Sequence, residues 1–200
     1  MNKDSKYVKG VQERSRKRFV LGAFARVKRY LRNRYAVNIA RKNGATIGEY
    51  VSMPLALAKK ANSNLKVGNH TSIQTTKIDL RGKVCVGSYV IIGSNVEIVT
   101  GSHNIDSVDW ESYWTSVEIS DYVWLAPNSI VLPSCCKVGY GAVVAANSIV
   151  TKDINKMEII GGNPGRFIRM RKVVHENLCV EGLLGNDLRT YLNVRKNILD

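Results

Sequence analysis

From Ile47 to Val150 an aliphatic residue recurs at about every sixth position, and a small residue often follows it. The series runs Val67, Ile73, Leu80, Val86, Ile92, Ile98 and then Ile119, Leu125, Val131, Val138, Val144, Val150; Gly68, Gly87, Gly93, Ala126, Gly139 and Ala145 come directly after six of these. A second register, mostly small or β-branched, stands two places earlier: Thr71, Ile78, Val84, Val90, Val96, Val117, Val123, Ser129, Cys136, Ala142 and Ser148. A helical period of 3.6 and a strand alternation of 2 both fail to produce this pattern. A hexapeptide solenoid produces it. The expected structure is a parallel β-helix of triangular section, with three hexapeptides and about eighteen residues per coil, in which equivalent aliphatic side chains stack from coil to coil.

The spacing slips to seven from Ile73 to Leu80 and from Val131 to Val138, which reads as a one-residue bulge at a corner. It fails outright once, between His103 and Val117. Residues 104–116 carry Asp106, Asp109, Trp110, Glu111, Tyr113 and Trp114 and fit no register. A loop that long inside so regular a repeat points to function rather than to a tolerated surface insertion.

A chain of 200 residues with 44% hydrophobic content supports one modest globular unit. No apolar run approaches the roughly eighteen residues that span a bilayer. Residues 1–18 are rich in Lys and Arg without a cleavage pattern, so no secretory leader is expected there. Cys85, Cys135, Cys136 and Cys179 lack metal-ligand or disulfide spacing and read as reduced thiols, with Cys85 and Cys136 at wall or interior positions.

Charge is distributed unevenly. Residues 1–43 hold fourteen Lys and Arg against Asp4 and Glu13, which accounts for twelve of the fourteen net positive charges. Between Lys17 and Ala40, Phe19, Ala23, Val27, Tyr30 and Leu31 fall at helical intervals, predicting a basic amphipathic helix. One reading makes it a cap on the open end of the solenoid, and a second makes it a peripheral contact with an anionic membrane leaflet. Nucleic acid is disfavoured, because no base-reading motif is present. Residues 172–200 place Val174, Leu178, Leu184, Leu188, Tyr191 and Leu192 among polar residues, predicting helix divided by Gly182 and Gly185. His175 reads as a solvated tail histidine.

Five ordered motifs carry a family resemblance. They are Thr100-Gly101-Ser102-His103 before the loop, Asp121-Tyr122-Val123-Trp124-Leu125-Ala126, Val131-Leu132-Pro133, Ile149-Val150-Thr151-Lys152-Asp153, and Gly162-Asn163-Pro164-Gly165-Arg166. Together they make residues 45–171 resemble the hexapeptide-repeat O-acetyltransferases, most nearly the maltose/galactoside group and the colanic-acid and O-antigen acetyltransferases. The resemblance implies an all-β fold, a left-handed parallel β-helix over residues 44–171; the basic helical extension over 1–43 and the short helical tail over 172–200 lie outside it and rest on the spacing of their apolar residues.

It also implies transfer of an acetyl group from acetyl-CoA to a sugar hydroxyl by direct attack, without an acyl-enzyme and without a metal. His103 stands at the family's catalytic position, and an imidazole suits a general base near neutral pH. His70 lies in an ordinary turn and reads as solvated. The Ala126 amide is the implied oxyanion donor, while Pro127 offers neither amide nor hydroxyl there. The main chain at Trp124 is expected to orient the imidazole, with Asp106 or Asp109 as alternatives. The implied donor site comprises Ala126, Ala145, Ala146, Thr151 and Lys152 along a groove between subunits of a homotrimer, and Arg166 and Arg169 against the CoA phosphates.

Asn95, Gln74, Asp106 and Trp110, with Tyr113 and Trp114, are the acceptor candidates. The basic amphipathic N-terminus and the short loop point to a nucleotide- or lipid-linked sugar acceptor in surface-polysaccharide synthesis, handled in the cytoplasm or at the inner face of the membrane. An antibiotic O-acetyltransferase and a non-catalytic scaffold are the alternatives. A carbonic anhydrase on such a scaffold needs three histidine ligands, and His70, His103 and His175 include no suitable close pair.

Overall fold

A computed structural model describes residues 6–175 and 187–196. The repeat folds into three parallel sheets that form the walls of a prism. Sheet A contains β1 (Thr46–Ile47), β2 (Leu65–Val67), β4 (Val84–Val86), β9 (Val117–Ile119) and β12 (Lys137–Val138). Sheet B contains β3 (Ser72–Ile73), β5 (Ile91–Ile92), β10 (Trp124–Leu125), β13 (Val143–Val144) and β15 (Glu158–Gly161), closed by antiparallel β16 (Arg166–Met170). Sheet C contains β6 (Glu97–Ile98), β11 (Ile130–Val131) and β14 (Ile149–Val150).

The inward residues stack as the sequence implies. Ile47, Val67, Val86, Ile119 and Val138 are paired in sheet A, Ile73, Ile92, Leu125, Val144 and Ile160 in sheet B, and Ile98, Val131 and Val150 in sheet C. All are buried in one continuous core. Burying such a side chain contributes about 1.5–3 kcal/mol, so the column of aliphatics is the main stabilising element. Where a glycine follows, it is needed because coils approach closely: a Cβ on Gly68 would lie 2.6 Å from the carbonyl carbon of Gly87.

Three details depart from the sequence reading. Coils in the middle of the prism repeat at nineteen residues, as from Ile73 to Ile92 and from Leu125 to Val144, because the corner leading into sheet A takes an extra residue, whereas the last coil, from Val144 to Ile160, takes sixteen. In the coil after Ile73, Ile78 pairs with Ile98, so Ile78 and not Leu80 holds the sheet C position. The extra corner residue also shifts the cysteines: Cys135 is fully buried and Cys136 is exposed, the reverse of the expected placement.

Helices close the open end. Helix α3 (Leu55–Lys60) replaces a sheet C strand in the first coil and buries Leu57 and Ala58. The long helix α2 (Arg16–Lys42) starts at Ser15, whose Oγ accepts from the Arg18 amide, and lays Ala36, Val37 and Ala40 on the core. The expected stripe at Val27 and Leu31 is exposed instead, because the burying face is rotated away from it. A second core joins the two ends of the chain: Val8 and Val11 of α1 (Lys6–Gln12) pack with Tyr191 and Val194 of α4 (Leu188–Lys196), with Phe19 and Ala23 against them. Tyr191 stacks on Phe19 at 4.6 Å and lies under the Arg26 guanidinium, which is paired with buried Asp187 at 2.8 Å. Leu178, Cys179, Gly182, Leu184 and Gly185 lie outside the described residues.

Candidate functional site

The single failure of the repeat is a hairpin. Strand β7 (Gly101–His103) pairs antiparallel with β8 (Ser112–Trp114), placing His103 opposite Ser112 and Gly101 opposite Trp114. The chain leaves the prism at Thr100 and returns at Thr115, on the edge between sheets C and A. Buried Thr100 accepts from the Gly82 amide through Oγ1 at 3.0 Å and from the Thr115 amide through its carbonyl at 2.8 Å, which pins the hairpin base.

His103 Nδ1 lies 2.9 Å from the Trp110 carbonyl oxygen. A carbonyl only accepts, so in the neutral ring the proton sits on Nδ1 and the lone pair on Nε2. Ser112 Oγ stands 3.4 Å from Nδ1. The carbonyl on the imidazole is thus that of Trp110, whereas Trp124 was the expected source, and neither the Asp106 nor the Asp109 carboxylate bonds the ring. Trp110 reaches this position through a left-handed backbone at φ 49°. Side chains of one hairpin face alternate along each strand, so His103 shares its face with Ser112 and Trp114, while Tyr113 lies on the other.

Below the hairpin lies a clamp that the sequence did not reveal. Asp79 accepts from Arg81 at 2.9 and 3.0 Å and from the Gly101 amide at 3.2 Å, two residues before His103. The Arg81 hydrogen bonds hold the Asp79 carboxyl well below the usual carboxylate range, against the opposing effect of burial. Aspartate two places before an arginine carries no signal by itself; only the coil places both beside Gly101.

The edge between sheets B and C is built differently. Gln74, Gly93, Ala126 and Ala145 follow the stacked residues of sheet B, and Asn95, Asn128 and Asn147 stand two places beyond the last three with φ near 60°. Asn95 is therefore one of a series of corner residues. The Ala126 amide donates to the Val144 carbonyl at 2.9 Å and Ala126 is buried, so that amide is not free to meet an oxyanion as the sequence reading expected. At the next corner position the residues are Ser94, Pro127 and Ala146. Proline has no donor, and among the described residues the Ser94 and Ala146 amides have no hydrogen-bond partner.

The expected residues are divided between edges. Gln74, Asn95, Ala126, Ala145 and Ala146 lie along the B–C edge, whereas His103, Asp106 and Trp110 ride the hairpin on the C–A edge, where exposed Lys152 and half-buried Thr151 follow sheet C. No hydrogen bond or ring contact joins His103 to Trp124 or Ala126. Arg166 and Arg169 are exposed on β16; a bulge opposite Ile159 and Ile160 absorbs one residue, so both arginines point to one face. Two cavities, about 210 Å³ beside Arg34, Arg41 and Arg189 and about 720 Å³ on the outer face of sheet A, contain none of the expected residues.

His70 also differs from expectation. It is a rung in a ladder along the A–B edge, stacked 4.8 Å from Tyr50 on one side and from Tyr89 on the other, and Tyr89 stacks on Tyr122 at 4.9 Å. An aromatic three places after each of the first four sheet A aliphatics was the signal available for it. His175 is exposed. Among the described residues no group of three or more His, Cys, Asp or Glu is arranged to hold a metal ion.

Three parallel walls stacked on a six-residue rule, interrupted once by a histidine-bearing hairpin, define a hexapeptide-repeat β-helix. No family model matches the chain. It is 35% identical over 117 residues to YvoF of Bacillus subtilis (strain 168), an acetyltransferase by its description, covering 57% of this chain and 65% of that protein. It is 28% identical over 110 residues to a chloramphenicol acetyltransferase of Klebsiella aerogenes, covering 44% and 52%. Against WcaF of Escherichia coli (strain K12), described as a colanic acid biosynthesis acetyltransferase, identity is 27% over 139 residues, covering 69% and 76%.

Among solved structures, the fold is shared with the hexapeptide-repeat acetyltransferase VCA0836 of Vibrio cholerae in complex with acetyl coenzyme A, at 21% identity and a TM-score of 0.57, covering 86% of this chain and 93% of that one. The relatives and structural neighbours are hexapeptide-repeat acetyltransferases, maltose and galactoside O-acetyltransferases included, so the resemblance read from the motifs is borne out. The chain spans 52% and 65% of the length of the first two relatives.

Proposed function

We propose that the protein is an acetyl-CoA-dependent O-acetyltransferase acting on a sugar hydroxyl, built on a left-handed coil. The observation that carries this reading is the His103 tautomer: Nδ1–H is committed to the Trp110 carbonyl, and Nε2 is left to accept a proton. The acceptor oxygen attacks the thioester carbonyl as its proton passes to Nε2. Collapse of the tetrahedral adduct breaks the carbon–sulfur bond, and the thiolate leaves with the proton from the imidazolium. The oxyanion donor is the Ala146 amide, which replaces the occupied amide of Ala126.

The pantetheine arm follows the small residues Gly93, Ala126, Ala145 and Gly161, and Arg166 and Arg169 meet the phosphates. Because the two sets of residues stand on different edges of the prism, the site forms where the B–C edge of one copy meets the hairpin of another in a homotrimer, with Thr151 and Lys152 on the hairpin side. Trp124, Gln74, Asn95, Asp106 and Trp110 line the acceptor end. The similarity to WcaF supports a surface-polysaccharide role, in capsule, O-antigen or exopolysaccharide synthesis, at the cytoplasmic side of the membrane with residues 1–40 in peripheral contact.

The similarity to chloramphenicol acetyltransferases supports a second reading, an antibiotic hydroxyl as acceptor. Assaying acetyl transfer to a sugar panel and to chloramphenicol, with wild type and His103→Ala, tests both. Transfer to sugars that His103→Ala lowers supports the first. Transfer to chloramphenicol alone supports the second, and equal activity of wild type and variant overturns the base assignment.

A further inference from the structure

Helix α2 carries two apolar faces. Its inner face, with Phe19 and Ala23 toward the second core and Ala36, Val37 and Ala40 toward the first, is covered along its length. On the opposite face Val20, Phe24, Val27, Leu31 and Tyr35 follow one another at spacings of four, three, four and four residues, a single stripe along the helix. All five are exposed, Phe24 by 69% and Leu31 by 59%, and among the described residues nothing covers them. Lys17, Lys28, Arg32 and Arg34 are exposed on the flanks of this stripe, and α2 contains no acidic residue.

We infer that this outer face of α2 docks on an anionic lipid bilayer surface. The helix lies in the interface, with Phe24 and Leu31 at the headgroup–acyl boundary and the flanking lysines and arginines against the headgroups. Charge decides between occupants. A second copy docked helix to helix would oppose one acid-free basic helix to another, and like charges disfavour that pairing. Nucleic acid would take the basic residues and leave the apolar stripe wet. An anionic bilayer satisfies both, and the aliphatic stems of the basic residues extend the apolar contact. Among the described residues no helix is long and apolar enough to cross the membrane, so α2 lies on it. This deepens the peripheral-contact part of the reading above and rests on α2, independently of acetyl transfer.

Flotation of the full chain with phosphatidylcholine vesicles, with and without phosphatidylglycerol, tests it. Wild type is expected to float with the anionic vesicles, to remain behind with neutral ones, and to be released by added salt. Phe24→Ser with Leu31→Ser, and separately Lys28→Glu with Arg32→Glu, are expected to weaken binding about tenfold or more without changing the melting temperature or transfer to a soluble acceptor. Equal recovery on neutral and anionic vesicles overturns the inference. So does retained binding by the Phe24/Leu31 variant, or a wild-type assembly that this variant reduces in size. Vesicle binding without acetyl transfer overturns the transferase reading alone, and transfer without vesicle binding overturns this inference alone.

Discussion

The edge between sheets B and C and the edge between sheets C and A are turned by one repeat, yet they are put to opposite uses. At the B–C edge three successive coils make the same short corner, small residue first and left-handed asparagine third, so a smooth small-residue track runs down that part of the prism. At the C–A edge the corner after Val131 carries an extra residue, and at Thr100 the chain departs altogether into the hairpin with His103. In the proposed mechanism regularity leaves room for a long ligand arm, whereas irregularity supplies the reactive side chain. Neither edge contains a complete site, which is why the reading requires a second copy.

Replacing the hairpin's contribution is the strongest way to break this contrast. His103→Ala is expected to lower kcat by about 100- to 10,000-fold with an unchanged melting temperature. Ala146→Pro addresses the other edge: Pro127 occupies the equivalent corner in the preceding coil, so proline fits the backbone there and only the amide is lost. The expected outcome is a fall in kcat of about 100- to 1,000-fold with thermal stability retained, and wild-type kcat in this variant would return the oxyanion to another donor.

Asp79→Asn tests whether the hairpin is held from below. Loss of roughly 1 kcal/mol of stability is expected, modest because Arg81 is exposed, together with a lowered kcat from a loosened Gly101. Since the folded-state pKa of Asp79 is depressed, its stabilisation is present above the unfolded value near 4 and is lost as pH falls through the folded one. The melting-temperature gap between wild type and Asp79→Asn is expected to close as the pH is lowered below about 4. The smallest effect concerns the lower corner of the same edge. Burial pushes the Cys135 thiol up to about 12, so alkylation at neutral pH is expected to modify Cys136 and to reach Cys135 only on unfolding, read by mass spectrometry.

The walls were legible in the sequence because each inward position repeats a local rule, one aliphatic about every sixth place, often with a small residue after it. Corners were less legible, since an added residue there changes no wall. Hence Ile78 rather than Leu80 pairs in sheet C, and Cys135 rather than Cys136 is buried. His103 is the proposed base because it stands at the catalytic position of the family the motifs resemble, just before the break in the repeat. The group that orients it was misplaced, because Trp110 approaches Nδ1 only through the hairpin's fold. The occupied amide of Ala126 was likewise invisible, being a matter of which carbonyl lies in the next coil.

The sequence by itself determined a three-walled solenoid, the position of its one interruption and the basic character of the N-terminal helix. Those properties follow from residue type at fixed spacing along the chain. Only the tertiary structure decided which amides remain free, which carbonyl holds the imidazole, that Asp79 supports the hairpin and that Val20, Phe24, Val27, Leu31 and Tyr35 face outward. Each of these depends on contacts between residues brought together by coiling or by helix rotation, and spacing along the chain does not encode such contacts.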